Sequence, residues 1–179
     1  LELYRRKGRF AAVIEPKVIQ LEQNRVDLVF EIEEGPKTKI RKINFIGNHA
    51  YSDGDLVGEM VTKESRWWKI FTSTDTYDPD QLAYDQTQLR QYYLNEGYAD
   101  FRIISAVAEL TADREDFSVT FVVEEGEIYT FGELKVESEI RDINADLFKN
   151  FMLMREGDTY AIEAIERTRE SLMAAAGSL

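Results

Sequence analysis

Cysteine is absent from the 179 residues, and histidine occurs once, as His49. The first absence excludes disulfide scaffolds, cysteine-based zinc sites and thiol catalysis. A single His leaves histidine metal sites and most Ser-His-Asp arrangements short of members. Cations are scarce too: 22 Lys and Arg stand against 34 Asp and Glu, a net charge of −12. Nucleic-acid binding needs a cationic footprint, and so does lying flat on an anionic lipid surface; the charge argues against both. Apolar runs are short, as in Phe10 to Ile14, where a membrane-spanning helix needs about 18 to 20 residues. No signal peptide is visible and the chain opens on Leu rather than Met. It reads as a piece of a longer protein, so a missing address says nothing about location. No phosphate-cradling glycine loop and no G-x-S-x-G element occurs. Nothing in this inventory calls for a cofactor or an enzymatic reaction.

What is present is a repeat. The segment Val26-Asp27-Leu28-Val29-Phe30-Glu31-Ile32-Glu33-Glu34-Gly35 resembles Phe117-Ser118-Val119-Thr120-Phe121-Val122-Val123-Glu124-Glu125-Gly126, at an offset of 91 residues. At that offset Ile43 and Phe45 match Leu134 and Val136. Tyr4 and Gly8 match Tyr93 and Gly97 at 89, and Tyr77 and Leu89 match Tyr160 and Leu172 at 83.

Each unit reads as strand, helix, helix, strand, strand. Ile43 and Phe45 alternate with polar neighbours, the mark of a half-buried strand, and Gly47-Asn48 makes a turn. Ser52 to Asp55 has the form of a capping box, followed by Leu56 and Met60 on one helical face. A second helix opens on Asp78-Pro79, carries Leu82, Leu89 and Tyr93 on one face, and stops at Gly97. Phe101 to Leu110 and Phe117 to Val123 read as a hairpin. The expected division is 1–35, the C-terminal part of one unit; 37–126, a whole unit; and 127–179, the N-terminal part of another. Part-units cannot bury a full core. Their ends are therefore expected to fray or to pair with a second copy as a strand-swapped dimer.

These residues resemble the POTRA repeat, which forms the periplasmic arm of outer-membrane barrel-assembly proteins. The likeness is carried by Gly35, Ile43-x-Phe45-x-Gly47-Asn48, the capped helix, Tyr93-x-x-x-Gly97-Tyr98 and the hairpin ending Glu124-Glu125-Gly126. Trp67-Trp68 and the run Arg90-x-Tyr92-Tyr93-Leu94 reinforce it. It extends over essentially the whole chain, as the end of a second, the whole of a third and the start of a fourth repeat. The last copy departs from it, with Ser138-Glu139 where Gly47-Asn48 would stand. The resemblance implies an α+β fold of tandem repeats, each a three-stranded mixed sheet covered on one face by two helices. It implies a non-enzymatic arm that receives unfolded outer-membrane proteins and docks accessory lipoproteins, with membrane attachment left to a barrel this chain does not contain. Two rivals remain open: the arm of a two-partner secretion or autotransporter-assembly protein, and a passive structural spacer.

Three candidate sites follow. By resemblance the exposed strand edge is Phe101, Arg102, Ile103, Ile104, Ser105, Ala106, Val107, Ala108 and Glu109. An edge of unpaired backbone groups can accept a client strand of almost any sequence. Arg66, Trp67 and Trp68, between the helices, together with Tyr92, form a candidate partner interface; a lid over the unit's own core is the competing reading. Asp53, Asp55, Asp75, Asp78 and Asp80 lack the EF-hand spacing, and capping explains Ser52, Asp55 and Asp78, so no metal is expected. His49 belongs to a turn rather than to catalysis.

Overall fold

Aspartate before proline starts the longest helix. In the computed structural model, which describes residues 1–65, 76–113, 116–137 and 145–177, the Asp78 carboxylate accepts from the backbone N–H groups of Asp80 and Gln81. Pro79 takes the first helical position, where a missing N–H costs nothing. Numbered in chain order, the elements are α1 (Glu2–Arg6), β1 (Val13–Leu21), β2 (Arg25–Glu33), β3 (Lys39–Ile46), α2 (Asp53–Glu59), α3 (Pro79–Asn95), β4 (Arg102–Leu110), β5 (Asp116–Glu124) and α4 (Ile162–Ala176). A 3-10 turn covers Ala145–Phe151. The predicted capping box starts α2: Ser52 accepts from the Asp55 N–H and the Asp55 side chain accepts from the Ser52 N–H.

β5 lies in the middle of a three-stranded sheet, parallel to β3 and antiparallel to β4. Its pattern of one face buried and one half-open follows from Phe117, Val119, Phe121 and Val123 alternating with Ser118, Thr120 and Val122. The buried face packs on α2 and α3 through Ile40, Ile43, Phe45, Leu56, Met60, Leu82, Leu89 and Tyr93. Tyr93 and Phe101 stack with ring centroids 3.9 Å apart. This is the mixed sheet with helices on one face that the resemblance implied.

The β3–α2 turn is locked from beneath. Gly47 has a φ of +92°, open to glycine at little cost, and a side chain there would run into the Val123 carbonyl oxygen. Asn48 stitches the same turn, donating to the Tyr51 carbonyl at 3.0 Å and to Asp53 at 2.8 Å. Buried Glu125 then accepts from the N–H groups of His49 and Ala50 and from the Tyr93 hydroxyl at 2.8 Å. His49 thus contributes its backbone to the fold.

The hairpin β1–β2 pairs over nine positions, Val13 opposite Glu33 through Leu21 opposite Arg25. Cross-strand partners share a face, so Ile14, Pro16, Val18, Val26, Leu28, Phe30 and Ile32 form one apolar face. Most of these side chains are exposed, and no described element packs on the hairpin. At the other end, residues 131–137 carry no strand where Leu134 and Val136 suggested one. A strand exists only through its partner, and no described strand lies beside them.

Two seams join these parts, and they are built alike. At the first, the Thr38 N–H donates to the Gly8 carbonyl at 2.7 Å, the Tyr77 N–H donates to the Thr38 carbonyl at 3.4 Å, and Lys39 bridges Thr76. At the second, the Tyr129 N–H donates to Gly97 at 2.9 Å, the Tyr160 N–H to Tyr129 at 2.9 Å, and Thr130 bridges Thr159. The residues correspond at the same offsets of 89, 91 and 83 that revealed the repeat. The side chains differ. Phe10 fills the first seam against Tyr77 and Phe117, at 5.6 and 4.9 Å between centroids. Ala99 stands at the matching place in the second, where the Tyr129 hydroxyl donates to Asp100 at 2.6 Å instead.

Candidate strand-pairing edge

A three-stranded sheet has two margins, and each outer strand points a row of N–H and C=O groups away from its neighbour. On β3 that row is occupied. The Ile43 N–H donates to the Glu64 carboxylate at 3.0 Å and the Phe45 N–H to Asp53 at 3.3 Å. The Ile40 carbonyl accepts from the Ser65 N–H at 2.7 Å. Asp85 holds this cover in place. It lies fully buried on α3 and accepts from the N–H groups of Val61 at 2.6 Å and Thr62 at 3.1 Å. A carboxylate is tolerated there because its charge is met by backbone dipoles.

On β4 the row is free: among the described residues none hydrogen-bonds to its outer edge. Eight of the nine residues expected at the edge, Arg102 to Glu109, lie on β4, and the strand continues to Leu110. Phe101 is the exception. It precedes the strand and is buried against Tyr93, because an aromatic ring there gains more from the core than from the margin. Ile103, Ala106, Ala108 and Leu110 pack towards the core, while Ile104 and Val107 stand out at 57% and 48% exposure. The pairing with β5 shifts register between Ile103 and Ser105, which inserts Ile104 as a bulge. Arg102 closes one end through a two-pronged pair with Glu124 at 2.9 and 3.0 Å. The hydrogen bond from Arg102 and then its charge hold the Glu124 carboxyl below the ordinary range.

Beside the free margin runs a groove of about 350 Å³, lined by Ala83, Gln86, Thr87 and Arg90 of α3 and by Arg102 and Ile103 of β4. Further along α3, Tyr92 is half-buried rather than free, edge-on to Tyr51 at 5.0 Å. Tyr51, Tyr92, Tyr93 and Tyr98 form one cluster, and burial first, then Glu125, pushes the Tyr93 hydroxyl far above its usual range. Arg66, Trp67, Trp68 and Asp75 lie outside the described residues, as do Ser138 and Glu139. Among the described residues no three His, Asp or Glu side chains are placed to hold a metal ion.

A family model, POTRA, described as "Surface antigen variable number repeat", matches residues 38–126. The chain is 30% identical over 159 residues to the outer membrane protein assembly factor BamA of Neisseria meningitidis serogroup B, covering 89% of this chain and 20% of that protein. It is 27% identical over 157 residues to BamA of Neorickettsia risticii, covering 88% and 21%. The chain therefore spans about a fifth of the length of these curated relatives. Among solved structures it resembles Haemophilus influenzae BamA POTRA3-5, with a TM-score of 0.60 and 18% identity over 97% of this chain and 65% of that one. At that identity the likeness is one of fold.

Proposed function

The chain belongs to the POTRA family through residues 38–126, and from that premise we propose that it is part of the periplasmic arm of an outer-membrane protein assembly factor, capturing unfolded client strands on β4. On this reading 1–35 closes one repeat, 37–126 is a whole repeat and 127–179 opens the next. Accessory proteins dock elsewhere on the arm, with Arg66, Trp67, Trp68 and Tyr92 as the candidate surface. The arm performs no reaction of its own. Among the described residues no helix is long and apolar enough to cross a membrane.

The observation that carries this reading is the unequal treatment of the sheet's two margins. Nine residues of antiparallel edge offer about eight outward hydrogen bonds. Each is worth about 1 kcal/mol net, against an association cost of about 4 to 15 kcal/mol. Capture by one margin is therefore weak and reversible, which suits a protein that must hand its cargo on. Successive repeats on one arm raise the effective concentration without new contacts.

An NMR titration of the chain with a ten-residue peptide of alternating apolar and polar residues tests this. Shifts confined to Arg102–Glu109 are expected, and their absence would leave only a spacer. Ile104→Pro should abolish them while the core resonances stay put, because a bulge on an edge strand tolerates proline.

A further inference from the structure

We infer that the groove between α3 and β4 gives the edge a preference for strands carrying a carboxylate on their helix-facing side, held by Arg90. The inference rests on the strand-capture reading above. A strand added to β4 sends alternate side chains to opposite faces, so every second one turns towards α3. Those side chains meet Ala83, Gln86, Thr87 and Arg90, a stripe at helical spacing next to the one that faces the core. Arg90 is the one basic residue of α3 and is exposed. Among the described residues it has no acidic partner within ion-pair distance, whereas Arg102 at the same groove is already engaged by Glu124 at 2.8 Å. In a chain of net charge −12, an uncommitted guanidinium beside an open margin is a local exception that a carboxylate would satisfy. Gln86 can donate a second hydrogen bond to that carboxylate, while the Thr87 hydroxyl is turned back onto the Ala83 carbonyl. One cation in an acidic background favours one carboxylate per segment and disfavours a run of them.

The test uses the 179-residue chain and C-terminally amidated peptides of alternating pattern, identical but for Glu or Gln at one helix-facing position. The Glu peptide should bind roughly two- to fivefold more tightly, the range of a partly exposed ion pair. That advantage should vanish at 0.5 M salt, where the screening length is only about 4 Å. Arg90→Gln should erase it with an unchanged melting temperature, since Gln is as good a helix former as Arg. Arg90→Glu should reverse it, so that a Lys peptide binds best. A further arm leaves the Gln peptide's C-terminus free; a gain there that also depends on Arg90 assigns the same chemistry to a chain end. If the Glu and Gln peptides shift β4 resonances with equal affinity, or if the preference survives Arg90→Gln, the inference is overturned while strand capture stands. If no peptide shifts β4, strand capture itself fails.

Discussion

The two margins of the β3–β5–β4 sheet differ in what the rest of the chain does for them. β3 is finished by distant side chains: Glu64 and Asp53 take its N–H groups, Ser65 supplies a donor to its carbonyl, and buried Asp85 anchors the segment that brings Glu64 and Ser65 there. β4 receives no such cover from any described residue. An uncovered edge is an aggregation liability that proteins ordinarily manage with charge, proline or a lid. Here one margin is sealed with charged groups and the other carries exposed Ile104 and Val107. The contrast shows that the fold has the means to close an edge and, among the described residues, uses it on one side only.

The largest effect should come from unsealing β3 at its anchor. Asp85→Ala removes two charge-assisted hydrogen bonds and strands two backbone N–H groups, a loss of about 3 to 5 kcal/mol. Urea unfolding measures that loss, and hydrogen exchange should show Val61, Thr62 and Ile43 losing protection together, while Phe45 stays held by Asp53. If the fold does not survive, Asp85→Asn keeps an acceptor and should cost about half as much.

Glu64→Ala acts one step nearer the strand. About 1 to 2 kcal/mol is expected from the orphaned Ile43 N–H, with faster exchange at Ile43 and not at Phe45, which Asp53 still holds. Unchanged protection at Ile43 would mean that the seal does not depend on this carboxylate.

Val107→Lys on the open margin should move stability by no more than about 0.5 kcal/mol. It should nonetheless weaken strand pairing severalfold, because a protruding charge obstructs edge association. Calorimetry with the alternating peptide checks the second half. A mutation silent in melting and loud in binding would separate the open margin from the sealed one.

The smallest effect is one of pH. Arg102 depresses the Glu124 carboxyl, so Glu124 binds its proton less readily in the folded chain than in the unfolded one. Its contribution is complete above the ordinary glutamate range and is lost as pH falls through the depressed folded value. Melting curves across pH 2 to 6 should be flatter for Glu124→Gln, and the difference should close below that window.

Local features of the fold were readable in the sequence. The Asp78-Pro79 start, the Ser52–Asp55 box and the alternation of Phe117 to Val123 each depend on neighbours a few residues away, and each formed as expected. The expected client edge came from the resemblance; eight of its nine residues lie on β4, and Phe101 precedes the strand. Asp85 and Glu125 were missed. Asp85 sits on the apolar stripe of α3 between Leu82 and Leu89, a signal that was present and unread. Glu125 belongs to the repeated Glu-Gly ending, which marked the repeat without disclosing that it grips the Gly47 turn. The sealing of β3 could not be read locally: its caps come from positions 8 and 21 residues away along the chain, and only folding brings them to the strand.

The twinned seams have a consequence for how such an arm lengthens. Gly8 meets Thr38 and Thr76 as Gly97 meets Tyr129 and Thr159, with the same backbone donors and acceptors. Copying residues 9–97 in place after Gly97 would thus bring a ready-made docking surface to both ends of the insert. Growth by duplication would need no invention at the boundary, and Phe10 against Ala99 shows that the same backbone seam accepts different side chains.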